Sequence, residues 1–320
     1  MLYALLKIPA RIAFWIYCRH LSVTKKALLK SKGPLLIAAN HPNSFLDAVV
    51  LATIFQQPIY SLARGDVFTN KFNTLILRSL NILPIYRLSE GAENIERNYS
   101  SFDACKKIFK NNGIVLIFSE GSCSNEWKLR PLKKGTARLA INAWQDNIPL
   151  KVLPVGINYS SFHSFGKNIK LNFGKIITKE MIELNDGFGK SIASFNDKLQ
   201  TALQPLVIEI DSNDKAAINK TFTYKITAIK KTLLFIPSIF GWILHAPFYY
   251  PLKKIAWKRN THKDHFDSVL IGFLFFSYPF YLLLLSLITY WIAGWWCLLV
   301  FIIVPFFGWS TVQLSERRFV

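Results

Sequence analysis

A histidine and an aspartate stand six positions apart in residues 40–47, NHPNSFLD, just after the apolar run LLIAA. On one continuous helix that spacing would turn the two side chains about 240° apart, too far round to touch. Pro42 disfavours helix at the residue before it, so a helix here starts near Asn43 or Ser44 and the chain turns between His41 and Asp47. Two readings of that turn stand side by side. In one, Ser44 and Asp47 form a capping box, and the aspartate merely closes the first helical turn. In the other, Asp47 points back at the imidazole and fixes its tautomer, leaving the second ring nitrogen to take a proton from a substrate hydroxyl. The second arrangement is a general-base pair that needs no protein nucleophile.

Positioning such a pair calls for a rigid frame, and short apolar runs alternate with helical patterns along the chain. Candidate strands are 35–39, 59–63, 83–86, 114–119 and 152–158; candidate helices are 45–55, 71–80, 92–110, 136–145 and 191–206. This alternation predicts an α/β fold with a mostly parallel sheet flanked by helices. Ligands collect at the carboxyl ends of strands in such sheets. NHPNS, RGD with Arg64, YR with Arg87, SEG with Glu120 and Gly121, and NYS all follow candidate strands, which predicts one shared rim.

The 320-residue chain has 39 basic and 19 acidic side chains, a net charge of +20. Residues 268–315 contain no Asp, Glu, Lys, Arg or His. That stretch could cross a bilayer twice at about 20 residues per helix, or lie in it as a hairpin, with Ala293 and Gly294 a candidate bend. Lys253, Lys254, Lys258, Arg259 and Lys263 precede it and Arg317 and Arg318 follow, so both flanks are expected on the cytoplasmic side. An excess of positive charge suits nucleic acid, anionic lipid or an anionic substrate. The hydrophobic tail favours membrane, and with no zinc-finger spacing or aromatic RNA-binding motif, no nucleic-acid partner is expected.

The opening MLYALLKIPARIAFWIYCRH interrupts an apolar pattern with Lys7, Arg11 and Arg19. A signal peptide keeps its charges ahead of the apolar core, so an uncleaved amphipathic membrane-interface helix is expected within 1–30, its long basic side chains reaching lipid headgroups. Segment 232–252 carries Pro237, Gly241, Pro247 and Pro251, which predicts a bent interfacial segment rather than a straight spanning helix. The expected organisation is thus an interfacial helix in 1–30, an α/β domain in 31–211, a basic and apolar interfacial segment in 212–267 and a transmembrane hairpin in 268–320. Cys18, Cys105, Cys123 and Cys297 are scattered without a C-x-x-C pair and read as reduced thiols.

Four ordered blocks within 35–160 resemble those of the membrane-bound glycerolipid acyltransferases. NHPNSFLD is similar to the opening N-H-x-x-x-x-D block with one extra residue between His and Asp, a spacing similar to that of the fungal-type glycerol-3-phosphate acyltransferases. ILPIYR resembles the second block, IFSEGSCS the F-P-E-G-x-x-S block, and VLPVGINY at 152–159 the mostly structural fourth block. RPLKKG at 130–135 is similar to a basic stretch after the third block, and LHAPFYYP at 244–251 to an H-x-P segment of the fungal-type and related bacterial enzymes. Two positions depart: Cys123 stands where many lysophosphatidate acyltransferases have arginine, and Ser119 where the family has proline.

The resemblance implies a membrane-bound O-acyltransferase of phospholipid biosynthesis. It would move a fatty acyl group from acyl-CoA or acyl-carrier-protein to a hydroxyl of glycerol 3-phosphate, with 1-acylglycerol 3-phosphate the alternative acceptor. No metal and no cofactor beyond the thioester co-substrate is expected. His41 would be the general base and Asp47 its orienting partner. Arg87 would hold the acceptor phosphate, with Arg64, Arg130, Lys133 and Lys134 as further candidates. Glu120 would position the glycerol end, and Gly121 would permit a sharp turn. Two competing readings differ in class: a catalytically inactive lipid-binding protein on the same fold, and a cysteine enzyme with an acyl intermediate on Cys123. His163 and His245 are expected to be structural.

Overall fold

The run Leu35–Ala39 is buried at every residue and forms the centre of a seven-stranded sheet. The computed structural model describes residues 2–86, 93–184, 187–259 and 263–315. In chain order the elements are α1 (Leu2–Tyr17), β1 (His20–Val23), β2 (Leu35–Ala39), α2 (Phe45–Ile54), β3 (Ile59–Arg64), α3 (Lys71–Ser79), β4 (Ile82–Ile85), α4 (Glu93–Lys110) and β5 (Ile114–Phe118). There follow α5 (Lys134–Gln145), β6 (Lys151–Tyr159), β7 (Asn168–Phe173), α6 (Phe188–Leu203), α7 (Lys215–Phe222), α8 (Ala228–Arg259), α9 (Phe266–Ala293) and α10 (Val300–Leu314).

The sheet order is β1-β7-β6-β2-β5-β3-β4. Strands β6, β2, β5, β3 and β4 are parallel, so their carboxyl ends form one rim. These are the five strands expected from the sequence, with no end displaced by more than one residue. β7 runs antiparallel to β6 and carries β1 at the edge. Neither was expected, because HLSV and NIKLNF are short and punctuated by polar residues.

Helices cover both faces of the sheet, which is why β2 reads as an unbroken apolar run. Leu35, Ile37 and Ala39 face a cluster with Leu51, Phe55, Tyr159 and Phe173. Leu36 and Ala38 face the opposite cluster, with Phe109, Trp144 and Phe195. Each large side chain buried in these layers contributes about 1.5–3 kcal/mol before entropy is counted. Where β2 ends, Asn40 Nδ2 donates to the Ile157 carbonyl at 3.0 Å and Asn40 Oδ1 accepts the Ile157 N–H at 2.7 Å. This amide clamp holds the start of the His41 turn against β6.

α1 exposes Leu5, Ile8, Ile12 and Trp15 as one apolar stripe, as an interfacial helix would. Two of its basic side chains also hydrogen-bond within the protein. Lys7 Nζ donates to the Phe55 and Gln56 carbonyls at 2.8 and 3.0 Å, and Arg11 Nη2 to the Thr53 carbonyl at 2.8 Å. Thr53 is in the last turn of α2 and Phe55 and Gln56 follow it, at the negative end of the helix dipole, where cations are drawn.

The expected bent segment lies within α8, one continuous helix of 32 residues with Pro237, Pro247 and Pro251 inside it. Neighbouring helices supply hydrogen bonds and close packing, which is how apolar helices tolerate proline. Thr311 Oγ1 donates to the Ser238 carbonyl at 2.8 Å, and Tyr281 donates to the Leu244 carbonyl. Gly241 lies so near α10 that an added Cβ would sit 2.1 Å from the Phe307 carbonyl oxygen. His245 bridges the Gly241 carbonyl at 2.8 Å and the Tyr278 hydroxyl at 2.9 Å, a helix-joining place consistent with a structural role. Gly294, at φ +58°, ends α9 where the bend was expected. Ala228–Arg259 and Phe266–Leu314 are both long and apolar enough to cross a membrane by length and composition.

Candidate active site

The chain leaves β2 at Ala39, turns through Pro42, and enters α2 after Ser44. That turn brings His41 Nδ1 to 2.8 Å from Asp47 Oδ2. Nδ1 therefore carries the proton it shares with the carboxylate, and Nε2 is left for other work. Asp47 Oδ2 also accepts the Asn43 N–H at 2.8 Å, and its Oδ1 accepts the Tyr159 hydroxyl at 2.8 Å. The Asp47 side chain is 0% exposed and that of His41 17%, so the carboxylate is fixed inside while the ring keeps an opening to solvent. The imidazole stacks on Phe118, with ring centroids 3.8 Å apart and planes within 7°. Burial, and then the Asp47 charge, push the Tyr159 pKa well above its ordinary value, so it remains a donor.

The capping box does not form. Ser44 caps α2 without a side-chain hydrogen bond to the helix, and its hydroxyl instead meets His265 Nδ1 at 2.7 Å. Asp47 uses both oxygens on the His41 turn and on Tyr159.

Glu120 follows β5 on the neighbouring strand end and is buried. Its Oε2 accepts the His41 backbone N–H at 3.2 Å and its Oε1 the Arg130 N–H at 3.1 Å. Burial raises the Glu120 pKa, opposed by those N–H groups and the Arg130 charge. Arg130 Nε lies 3.5 Å from Glu120 Oε2, and Nη2 donates to Ser122 Oγ at 2.9 Å and to the Ser122 carbonyl. The arginine is thus folded back on the Glu120 loop. Gly121 takes φ +72°, and an added Cβ would lie 2.8 Å from Lys133 Cγ, so this turn favours glycine for both reasons. Ser119 is held by the Lys133 N–H on its carbonyl at 2.7 Å and by the Thr136 hydroxyl at 3.0 Å.

His41, Asp47, Glu120, Gly121 and Arg130 are therefore joined directly. Lys133 and Lys134 are exposed at the start of α5, beside the Glu120 loop. Arg64 lies on the same rim at the end of β3, half exposed and paired with Asp66, without contact to His41. Tyr86, after β4, packs on Gly65 next to it. Arg87 lies outside the described residues, as do Arg317 and Arg318. Cys123 Sγ sits 3.8 Å from His265 Nδ1, yet burial, aided by Asp264 and Asp47, pushes its thiol up to about 12. A thiol so rarely ionised at neutral pH is a poor nucleophile, which argues against the cysteine reading. Among the described residues no three His, Cys, Asp or Glu side chains gather as a metal site requires.

Asn43, Phe118 and Tyr159 join the site beyond the side chains expected to act in it. Tyr159 had a usable signal, since a tyrosine closing a buried strand must find its hydroxyl a partner. Asn43 and Phe118 had none beyond their places beside His41 and Glu120.

Fold and site together define an α/β domain with a histidine–carboxylate pair on its carboxyl rim, packed against long apolar helices. Residues 20–158 match the family model described as Acyltransferase. Among solved structures, the chain is similar to the 1-acyl-sn-glycerophosphate (LPA) acyltransferase PlsC from Thermotoga maritima, with 15% identity and a TM-score of 0.45, over 69% of this chain and 81% of that one. No curated protein matches the chain.

Proposed function

We propose that this protein is a membrane-bound acyltransferase that faces the cytoplasm and moves a fatty acyl group from acyl-CoA or acyl-carrier-protein to a hydroxyl of glycerol 3-phosphate. The observation that carries the reading is the 2.8 Å contact between His41 Nδ1 and the buried Asp47 carboxylate. With Nδ1–H held there, Nε2 accepts the proton of the acceptor hydroxyl as its oxygen attacks the thioester carbonyl. The C–O bond forms, the C–S bond breaks, and the imidazolium returns the proton to the leaving thiolate. The products are an ester and a free thiol, and His41 ends neutral. General-base catalysis of this kind contributes about 10²–10⁴-fold, and orientation of the two substrates supplies much of the rest.

Phosphate recognition is supported by charge placement. Lys133 caps α5 and Lys134 begins it, with no acidic residue in the first turn. Cations at a helix N-terminus oppose its dipole, and an anion bound there relieves both. Arg130 adds charge on the Glu120 loop, and Arg87 would contribute as its counterpart in the family does. Glu120 would hold the glycerol end of the acceptor.

The test is purified full-length protein in detergent, assayed with glycerol 3-phosphate and 1-acylglycerol 3-phosphate against both donors. Transfer to glycerol 3-phosphate is expected. Transfer to 1-acylglycerol 3-phosphate alone would overturn the acceptor assignment. Folded protein that binds lipid and transfers to neither would favour the inactive lipid-binding reading.

A further inference from the structure

Two charges that the proposed mechanism does not use lie buried behind the His41 turn. Lys167, just before β7, and Asp267, the second residue of α9, form an ion pair whose side chains are 0% and 2% exposed. Taking both ions out of water costs several kcal/mol each unless further contacts complete them. Here the contacts lead toward the candidate base. Asp267 Oδ2 accepts Asn43 Nδ2 at 2.8 Å and faces the Tyr17 hydroxyl at 3.5 Å. Lys167 Nζ lies over the rings of Tyr17 and Tyr159, 5.7 and 5.5 Å from their centroids. Asn43 and Tyr159 are the two residues that, with His41, hydrogen-bond the Asp47 carboxylate. Next along α9, Ser268 Oγ accepts the Leu46 N–H at 3.1 Å and donates to the Asn43 carbonyl at 3.4 Å. The first turn of α9 therefore grips the His41–Asp47 turn on both sides of Ser44.

We propose that Asp267 is a positioning residue for the His41–Asp47 pair, acting through Asn43, so that the C-terminal apolar helices complete the active site as well as anchor the chain. The inference rests on the reading of His41 as general base. Apolar packing alone would dock α9 on the domain. The hydrogen bond to Asn43 adds direction: it fixes the residue whose N–H holds Asp47 Oδ2, and through it the imidazole. A misplacement of about 1 Å in such a group can cost on the order of a hundredfold in rate.

Two paired variants of the full chain separate positioning from folding. Lys167→Met with Asp267→Asn removes both charges and keeps an acceptor for Asn43. Lys167→Met with Asp267→Leu removes the acceptor as well. Replacing a buried ion pair as a unit avoids stranding one charge. Both proteins are expected to elute as single species in detergent with similar unfolding midpoints. The Asn pair should keep kcat within about threefold of wild type, while the Leu pair should lose about tenfold or more in kcat with both KM values within about twofold.

A well-folded Leu pair with kcat within about twofold of wild type overturns the proposal, and so do equal losses in the two pairs. If the Leu pair does not fold, Asn43→Ala removes the same hydrogen bond from the other side, and the same limits on kcat and KM decide. His41→Ala is run beside them. Full activity in His41→Ala would sink the base reading itself, whereas its inactivity beside a fully active Leu pair would sink only the role of Asp267.

Discussion

The hydroxyl of Tyr159 donates to Asp47 Oδ1 across 2.8 Å, while His41 Nδ1 meets the other oxygen of the same carboxylate at the same distance. The block VLPVGINY, whose obvious work is to be a strand, thereby also steadies the partner of the candidate base. Asp47 cannot rotate without breaking one bond or the other.

Tyr159→Phe is expected to lower stability and activity together. It removes a neutral donor from a buried carboxylate, a loss of about 1.5–3 kcal/mol for a hydrogen bond to a charged group. Thermal unfolding in detergent and initial rates would measure the two effects. An unchanged midpoint together with an unchanged rate would show that the hydroxyl holds nothing.

His41→Ala should abolish transfer while folding and membrane attachment persist, because no second base occupies the turn. Asp47→Asn should lose less, since the imidazole remains and Tyr159 and Asn43 can still bond the amide. Rates of the two purified variants, beside their elution profiles, test the order. Activity of His41→Ala within about twofold of wild type would defeat the mechanism.

Cys123 should react as a suppressed thiol. Its pKa of about 12 in place of about 9 leaves roughly a thousandth of the ordinary thiolate at neutral pH. Because the shift is upward, alkylation at Cys123 should keep rising with pH through 10, where an unperturbed thiol has begun to level off. Cys123→Ala should retain most activity, with no acyl group on the protein during turnover. Mass-spectrometric capture of a thioester at Cys123 would instead restore the cysteine reading.

The apolar C-terminal helices should return to the side from which they entered. α9, with 28 residues, measures about 42 Å, more than a bilayer core. α10, with 15, measures about 22 Å and relies on the preceding 3-10 stretch Gly294–Leu299 to complete the return. Lys263→Cys and Val320→Cys, each in a background lacking other reactive thiols, should label with an impermeant reagent from the same side of sealed vesicles. Labelling from opposite sides would mean a single crossing.

Much of the frame is written locally. LLIAA, IVLIF and VLPVGINY are continuous apolar runs because a central parallel strand is buried on both faces, and that burial alone makes them legible. Their carboxyl ends then place His41, Glu120 and Tyr159 on one rim by topology. The bend at Gly294 was legible for a similar reason, since a left-handed residue between two apolar helices is most easily a glycine.

Charge partners were not legible, because pairing depends on which surfaces meet and not on spacing along the chain. Lys7 and Arg11 look like headgroup ligands until α1 is laid on the end of α2, whose carbonyls claim them. α8 runs through three prolines while Thr311 and Tyr281 of other helices donate to its Ser238 and Leu244 carbonyls, contacts that only packing supplies. Lys167 and Asp267 are a hundred residues apart and ordinary in sequence; the docking of α9 against the sheet removes them from water, and removal from water makes each require the other. The sequence by itself determined the strands, the rim and the histidine–aspartate turn, and tertiary structure alone decided that Tyr159 also holds Asp47, because hydrogen bonds to a buried carboxylate are chosen by what packing brings within about 3 Å.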